Sequence, residues 1–436
     1  MTRCSSCATG ACAKASYTPA GTVRRVIATP PPRSEPATGS TAVQAQPADE
    51  RAGLAPAIAA AAWPVAVLLV VHRLFILARA GSVTDDFTTV WSAARRFVER
   101  VPVYNEVYSH VNPHYLYNPG ATLLLSPMGL IADIDVVRPV FIAVNAACII
   151  AALAWLTRLV GRPLAGPTFP VAVALAFSTE AVTNTLVFSN INGMLLLALV
   201  AFIALLLSRR DIAAGVVLGL AILVKPMFAP LLALPLLQLR WRPVLGAIGV
   251  PVVMNLIAWP LTPGARDYLD VVVPYLKVTR DYANSSLSGF AVYFGMPGWA
   301  HATLFVLLAA AVAGAVLGLA RVRHSQELLY LAVGSSVLLA GVCLLSSLGQ
   351  AYYSMMLFPA LFTVLHPDSP LRSWPAWLGA ALCLSPLSWS SSLHPLTGSW
   401  LNTFLPTAGW AVFIIACATW VLFTQTLLAP EERIGR

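Results

Sequence analysis

The sequence predicts an all-α polytopic membrane protein with about twelve transmembrane helices, and three observations carry that expectation. Its 436 residues are 58% hydrophobic and only 10% charged, more apolar surface than a soluble core hides. Apolar runs near the ~20 residues that cross a bilayer recur along the chain. Between them the Arg residues fall in pairs, the pattern that orients a chain in a membrane. The net charge of +9 is therefore read as topology. The expected partner is the lipid bilayer, with no nucleic acid.

Residues 1–52 are rich in Ala, Pro, Thr and Ser and show no periodic apolar face, so they are expected to form a disordered, basic, cytoplasmic tail. No apolar segment begins near the N-terminus, which argues against a secretory signal. The first run, from Gly53 to Leu77, is long enough to be the first transmembrane helix. A polar stretch over 81–136 then reads as the first outer loop. Further runs follow at Val137–Leu156, Phe169–Val187, Met194–Leu207, Ile212–Val224, Met227–Leu239, Val244–Trp259, Ala302–Leu319, Leu328–Leu345, Met355–Leu365, Trp377–Leu387 and Ala408–Leu428.

Counting each run as a crossing makes 53–430 one transmembrane domain. It sends Arg158/Arg162, Arg209/Arg210, Arg240/Arg242, Arg321/Arg323, Arg372 and Arg433/Arg436 to the cytoplasm together with both termini. The plasma membrane is the expected location, with the active site on its outer face. A second large outer loop falls at 261–299. The count requires Ala121 to Leu130, bounded by Pro119 and Pro127, to dip into the membrane without crossing.

Acids are scarce, and among those expected at or near the outer surface Asp85 and Asp86 are the one adjacent pair directly after a membrane helix. A carboxylate there is partly desolvated, which strengthens it as a base. The bland alternative is a helix cap, since Asp is a preferred N-cap and an amphipathic segment follows; both readings stay open. That segment, Phe87 to Phe97, puts Val90, Trp91, Ala94 and Phe97 on one face and Arg95 and Arg96 on the other, as in an interfacial helix.

Among the 27 Lys and Arg residues only Lys14, Lys225 and Lys277 are Lys. Lys225 closes an apolar run, where an ionisable group is a functional candidate, suited to a phosphate. His72 and Arg73, nearer the outer end of the first helix, could also reach a phosphate; for all three the bland alternative is snorkelling to the outer headgroups. Glu180, inside an apolar run, is expected to pair with one of these cations. Cys148, Cys343, Cys383 and Cys417 behave as small hydrophobes. Cys4, Cys7 and Cys12 lack a fourth ligand nearby, so no metal site is expected.

One set of motifs resembles something specific. Asp86-Phe87 with Trp91 is followed by Val103-Tyr104-Asn105-Glu106, by Pro113-His114-Tyr115-Leu116-Tyr117-Asn118-Pro119-Gly120 and by Ser126-Pro127. Further on come Asn190-Ile191-Asn192-Gly193, Lys225-Pro226, Asn284-Ser285-Ser286-Leu287 and Gln350-Ala351-Tyr352-Tyr353. The pattern resembles glycosyltransferase family 87 of the GT-C superfamily, in particular its arabinan-branching members, from about residue 56 to 428. One departure is Asn118, where the family more often has Pro.

The resemblance implies a GT-C fold with outer-face loops and interfacial helices. It also implies transfer of an arabinofuranosyl unit from decaprenyl-phosphoryl-arabinose to the 3-hydroxyl of α-1,5-linked arabinan, with inversion and without cofactor. The family's loop Asp falls on Asp86, with Asp85 its neighbour. Lys225, Arg73, His72, Lys277 and Arg280 are the candidates for the donor, and His114, Tyr115, Tyr117, Asn190, Asn192, Gln350 and Tyr353 for the acceptor. A mannosyltransferase using polyprenyl-phosphoryl-mannose shares these motifs, and a polyprenyl-lipid transporter is a reading from a different class.

Overall fold

A computed structural model describes residues 47–81, 86–108 and 114–428, with side chains between 53 and 423. The expected tail lies almost wholly outside the described residues, as do Asp85, Pro113 and the three tail cysteines. Every regular element among the described residues is helical.

The helices are α1 (Pro47–Val71), α2 (Asp86–Val98), α3 (Pro119–Leu125), α4 (Ile134–Leu159), α5 (Thr168–Ser178), α6 (Glu180–Val187), α7 (Asn192–Leu207), α8 (Asp211–Val224) and α9 (Ala233–Leu237). They continue as α10 (Trp241–Ala258), α11 (Val273–Leu276), α12 (Leu287–Tyr293), α13 (Gly298–Leu319), α14 (Glu327–Leu345), α15 (Phe358–Phe362), α16 (Trp374–Cys383) and α17 (Pro395–Leu428).

The protein is an all-α membrane protein, but the expected twelve crossings are not found. Among the described residues, six helices are long and apolar enough to cross: Gly53–Leu77, Ile134–Leu159, Trp241–Leu261, Gly298–Val322, Glu327–Leu345 and Pro395–Phe423. A seventh crossing results if α5 and α6 count as one bent span. The expectation counted every apolar run as a crossing. At about 1.5 Å per residue, the 16 residues of α7 and the 14 of α8 reach roughly 24 and 21 Å, short of the ~30 Å of a hydrocarbon core.

Phe169–Val187, read as one run, is two helices meeting at 65°. Thr179 breaks it: the residue is extended, and its hydroxyl caps α6 by accepting from Val182 N at 3.3 Å. The segment from Ala121 to Leu130 is the end of α3 and a five-residue 3-10 turn. It is too short to cross and packs on α2 and α10.

Apolar side chains on α1, α10 and α13, among them Leu68, Leu245, Leu256 and Val306, are exposed on the protein surface, as lipid-facing positions require. Inside, α14 is almost wholly buried, and α7 packs between α4 and α8. α8 lies close along α10 because Gly215 and Gly219 face it; a Cβ on Gly215 would collide with the Pro243 carbonyl, the small-residue packing common between membrane helices.

Three helices give the molecule two polar ends. α7 ends beside Arg209, α8 starts at Asp211 and α14 starts at Glu327. There Arg209 holds both Glu327 oxygens at 3.0 and 2.9 Å. Arg240 pairs with Asp211 and reaches Glu327 at 3.3 Å. Gln238 donates to Glu327 at 2.8 Å and to the Arg323 carbonyl at 3.3 Å. The opposite ends of these helices lead to Asn192, Lys225 and the segment after Leu345, where the remaining polar motifs gather.

Candidate active site

Asp86 opens α2, held by its own N–H donating to the Phe188 carbonyl at 3.1 Å. The helix behind it is fixed by an apolar face of Phe87, Ala94 and Phe97. Arg95 and Arg96, on the face opposite the apolar one, are committed within the protein. Arg95 reaches the Gly129 carbonyl at 3.1 Å and pairs with Glu99, while Arg96 pairs with Glu106 at 2.7 Å and reaches the Val103 carbonyl.

Asp86 Oδ2 accepts from the Asn190 amide and, at 3.2 Å, from the Tyr352 hydroxyl. Burial pushes the Tyr352 phenol well above its ordinary range, with Asp86 adding to the effect, so this hydroxyl stays protonated and donates. Tyr352 was not among the residues picked from the sequence; its signal was adjacency to Tyr353 in the same motif.

The other end of the Asn190 amide accepts from Lys225 Nζ at 3.0 Å. The same ammonium donates to Asn192 Oδ1 at 3.0 Å and to the Tyr353 hydroxyl at 3.1 Å, and lies 4.6 Å from the Tyr353 ring centre. All three of its protons thus have acceptors. Lys225 is only 7% exposed, so it does not snorkel. Burial pulls its pKa from the ordinary 10.5 down to about 8, and the Asp86 carboxylate resists that pull.

The Asn190-to-Gly193 motif brings α7 against α4. A Cβ on Gly193 would run into the Asn145 carbonyl, so only Gly lets Asn192 sit behind the lysine at this depth. Asn284 is a second fixing point. It accepts from Ser286 N at 3.1 Å and Gly349 N at 2.9 Å, and donates to the carbonyls of Arg280 at 3.1 Å and Ser347 at 2.8 Å. One buried amide thereby ties the 261–299 segment to the chain leading into Gln350.

On the remaining side Glu106 accepts from Tyr115 N at 3.0 Å and lies 3.5 Å from His114 Nδ1. Glu106 was also not picked from the sequence. The His114 ring packs between Tyr108 and Tyr275.

These side chains enclose a cavity of about 110 Å³ lined by Asp86, Lys225, Arg280, Asn190, His114, Tyr115, Tyr117, Gln350, Tyr352 and Tyr353, among others. Arg280 is oriented by the rings of Tyr275 and Tyr282, 5.3 and 5.9 Å from its guanidinium. Of the remaining donor candidates, Arg73 donates to the Phe177 carbonyl at 3.2 Å, His72 is exposed on the turn after α1, and Lys277 is exposed at the end of α11. None of these three lines the cavity. Glu180 has no cation partner among the described residues, against expectation.

The sequence pattern of glycosyltransferase family 87 matches residues 115–347. The α-(1→3)-arabinofuranosyltransferase of Corynebacterium glutamicum is 52% identical over 82% of this chain and 85% of its own. The chain belongs to glycosyltransferase family 87. Proteins of the same description from Mycolicibacterium smegmatis and Mycobacterium tuberculosis are each 40% identical, over 85 and 86% of this chain and 86 and 87% of theirs. This family 87 protein is therefore a membrane glycosyltransferase, and the transporter reading falls.

Proposed function

We propose that this enzyme transfers an arabinofuranosyl unit from decaprenyl-phosphoryl-arabinose to the 3-hydroxyl of α-1,5-linked arabinan, at the outer face of the plasma membrane, with both termini cytoplasmic. Asp86 is the general base. It takes the proton of the acceptor hydroxyl as that oxygen bonds to the anomeric carbon from the face opposite the phosphate, and the anomeric carbon–oxygen bond to polyprenyl phosphate breaks. The configuration inverts.

The observation that carries this reading is a single cavity lined by one carboxylate, Asp86, and two cations, Lys225 and Arg280. Glycosyl transfer from a lipid phosphate calls for that set: a base for the acceptor and positive charge for the phosphate as it leaves. Arg280 is the direct phosphate ligand, its planar fork suited to two oxygens. Lys225, with its protons already taken, supplies field and holds Asn190 towards Asp86. The relatives' shared description as α-(1→3)-arabinofuranosyltransferases supports the sugar and the linkage. The outer face is supported by the Arg-bearing junctions gathering at the end of the helices remote from Asp86.

The test supplies purified enzyme with linear arabinan and, separately, radiolabelled decaprenyl-phosphoryl-arabinose or polyprenyl-phosphoryl-mannose. The expected product is arabinan branched at the 3-position, formed from the arabinose donor alone. Consumption of the mannose donor in its place would make the enzyme a mannosyltransferase.

A further inference from the structure

We propose that the cavity beside Glu180 is a second carbohydrate-binding site, which takes a neutral sugar residue of the acceptor chain distant from the reacting one; the identity of that chain rests on the function proposed above. The cavity measures about 230 Å³, many times the room one water needs. It lies between the α5–α6 bend, the loop that follows α16 and the first turns of α17, and its polar lining is Glu180, Asn184, Ser385, Ser388, Trp389 and Asn402.

Its walls are fixed in place. Glu180 N donates to the Ser385 carbonyl at 3.0 Å, which ties the loop to the bend. Asn402 of α17 accepts from Trp389 N at 2.8 Å and donates to Ser390 Oγ at 3.0 Å. Both ends of that amide thus clamp the loop at Trp389.

The groups left over suit a sugar. Among the described residues the Glu180 carboxylate has no hydrogen-bond or ion-pair partner, and neither has the indole N–H of Trp389, whose side chain is substantially exposed. A carboxylate accepts from sugar hydroxyls, and an indole offers an apolar face with a donor at its edge. No Lys, Arg or His lines the cavity. A lone acid without cations repels phosphate, so a neutral polyol is favoured over the lipid-phosphate donor.

The position fits an extended acceptor. Ala351 lines this cavity while its neighbours Gln350 and Tyr352 line the one that holds Asp86. One short stretch of chain is therefore the shared wall, which the acceptor chain would cross to occupy both cavities.

The test is calorimetric titration of the purified full-length protein with linear α-1,5-linked arabinofuranosyl disaccharide and hexasaccharide. The wild type is expected to bind the hexasaccharide about tenfold tighter, and Glu180→Gln to erase that preference, because charge-assisted hydrogen bonds exceed neutral ones by about that factor. Trp389→Ala is the second variant, and melting temperatures near wild type confirm that both are folded. Equal hexasaccharide affinity in wild type and both variants overturns the site, as does a wild type without preference for the longer chain. A preference that depends on Glu180 without any arabinose transfer keeps the site and sinks the proposed function; transfer with no dependence on Glu180 does the reverse.

Discussion

Lys225 Nζ lies 3.0 Å from Asn190 Oδ1, and the NH₂ of that same amide donates to Asp86. An amide held at both ends by charged groups has one orientation, so Asn190 passes the lysine's charge to the carboxylate and fixes the direction in which Asp86 points. Asn190→Ala is expected to slow transfer about 10- to 100-fold, the equivalent of ~1.5–3 kcal/mol for a hydrogen bond to a charged group. Turnover at saturating donor is the measurement; an unchanged rate would mean that Asp86 needs no such support.

The pH dependence follows from Lys225. Its pKa is lowered to about 8, so the ammonium is charged below that value and neutral above it. Activity is expected to fall as pH rises through about 8, as the charge beside Asp86 is lost. In Lys225→Met the rate is low, by about 10²- to 10³-fold if the charge stabilises the departing phosphate, and that alkaline limb is missing. A pH profile of turnover for both proteins checks this.

At the opposite end, Glu327 receives Arg209, Arg240 and Gln238 with its own side chain only 13% exposed. Removing its charge leaves Arg240 with Asp211 as its remaining acid. Because Arg240 keeps Asp211 and Arg209 is largely exposed, Glu327→Gln is expected to cost about 1.5–3 kcal/mol of stability, as for lost hydrogen bonds to a charged group, seen as a lower melting temperature in detergent. Turnover of the folded fraction should stay near wild type, since α14 separates this cluster from the cavity.

Orientation is tested with a membrane-impermeant maleimide after the native thiols are replaced. Ser391→Cys, in the loop before α17, is expected to react in intact cells. Arg321→Cys, after α13, is expected to react only after permeabilisation. The reverse pattern would put the cavity on the cytoplasmic side.

The sequence made the membrane class legible because composition and Arg placement report directly on the solvent. It made most of the cavity legible because polar residues closing apolar runs, such as Lys225 and Asn190, have few reasons to be there. The number of crossings was overcounted because every apolar run was taken as a crossing, although the shortness of the runs that became α7 and α8, 16 and 14 residues as helices, was already readable against the ~20 residues a crossing needs. The bend at Thr179 was readable in principle as a Thr cap followed by Glu180, a signal outweighed by the apolar residues around it. Tyr352 and Glu106 stand inside the motifs but were given no role, because their roles depend on contacts made across 266 residues with Asp86 and across ten with Arg96.

The most direct test of the account is the rate of arabinose transfer from radiolabelled decaprenyl-phosphoryl-arabinose to linear arabinan by wild type and by Asp86→Asn, with donor binding and melting temperature measured alongside. A general base contributes about 10²- to 10⁴-fold, so the variant is predicted to lose at least that much turnover while it still binds donor and melts near the wild-type temperature. Transfer by Asp86→Asn at close to the wild-type rate would contradict the assignment of Asp86 as the base.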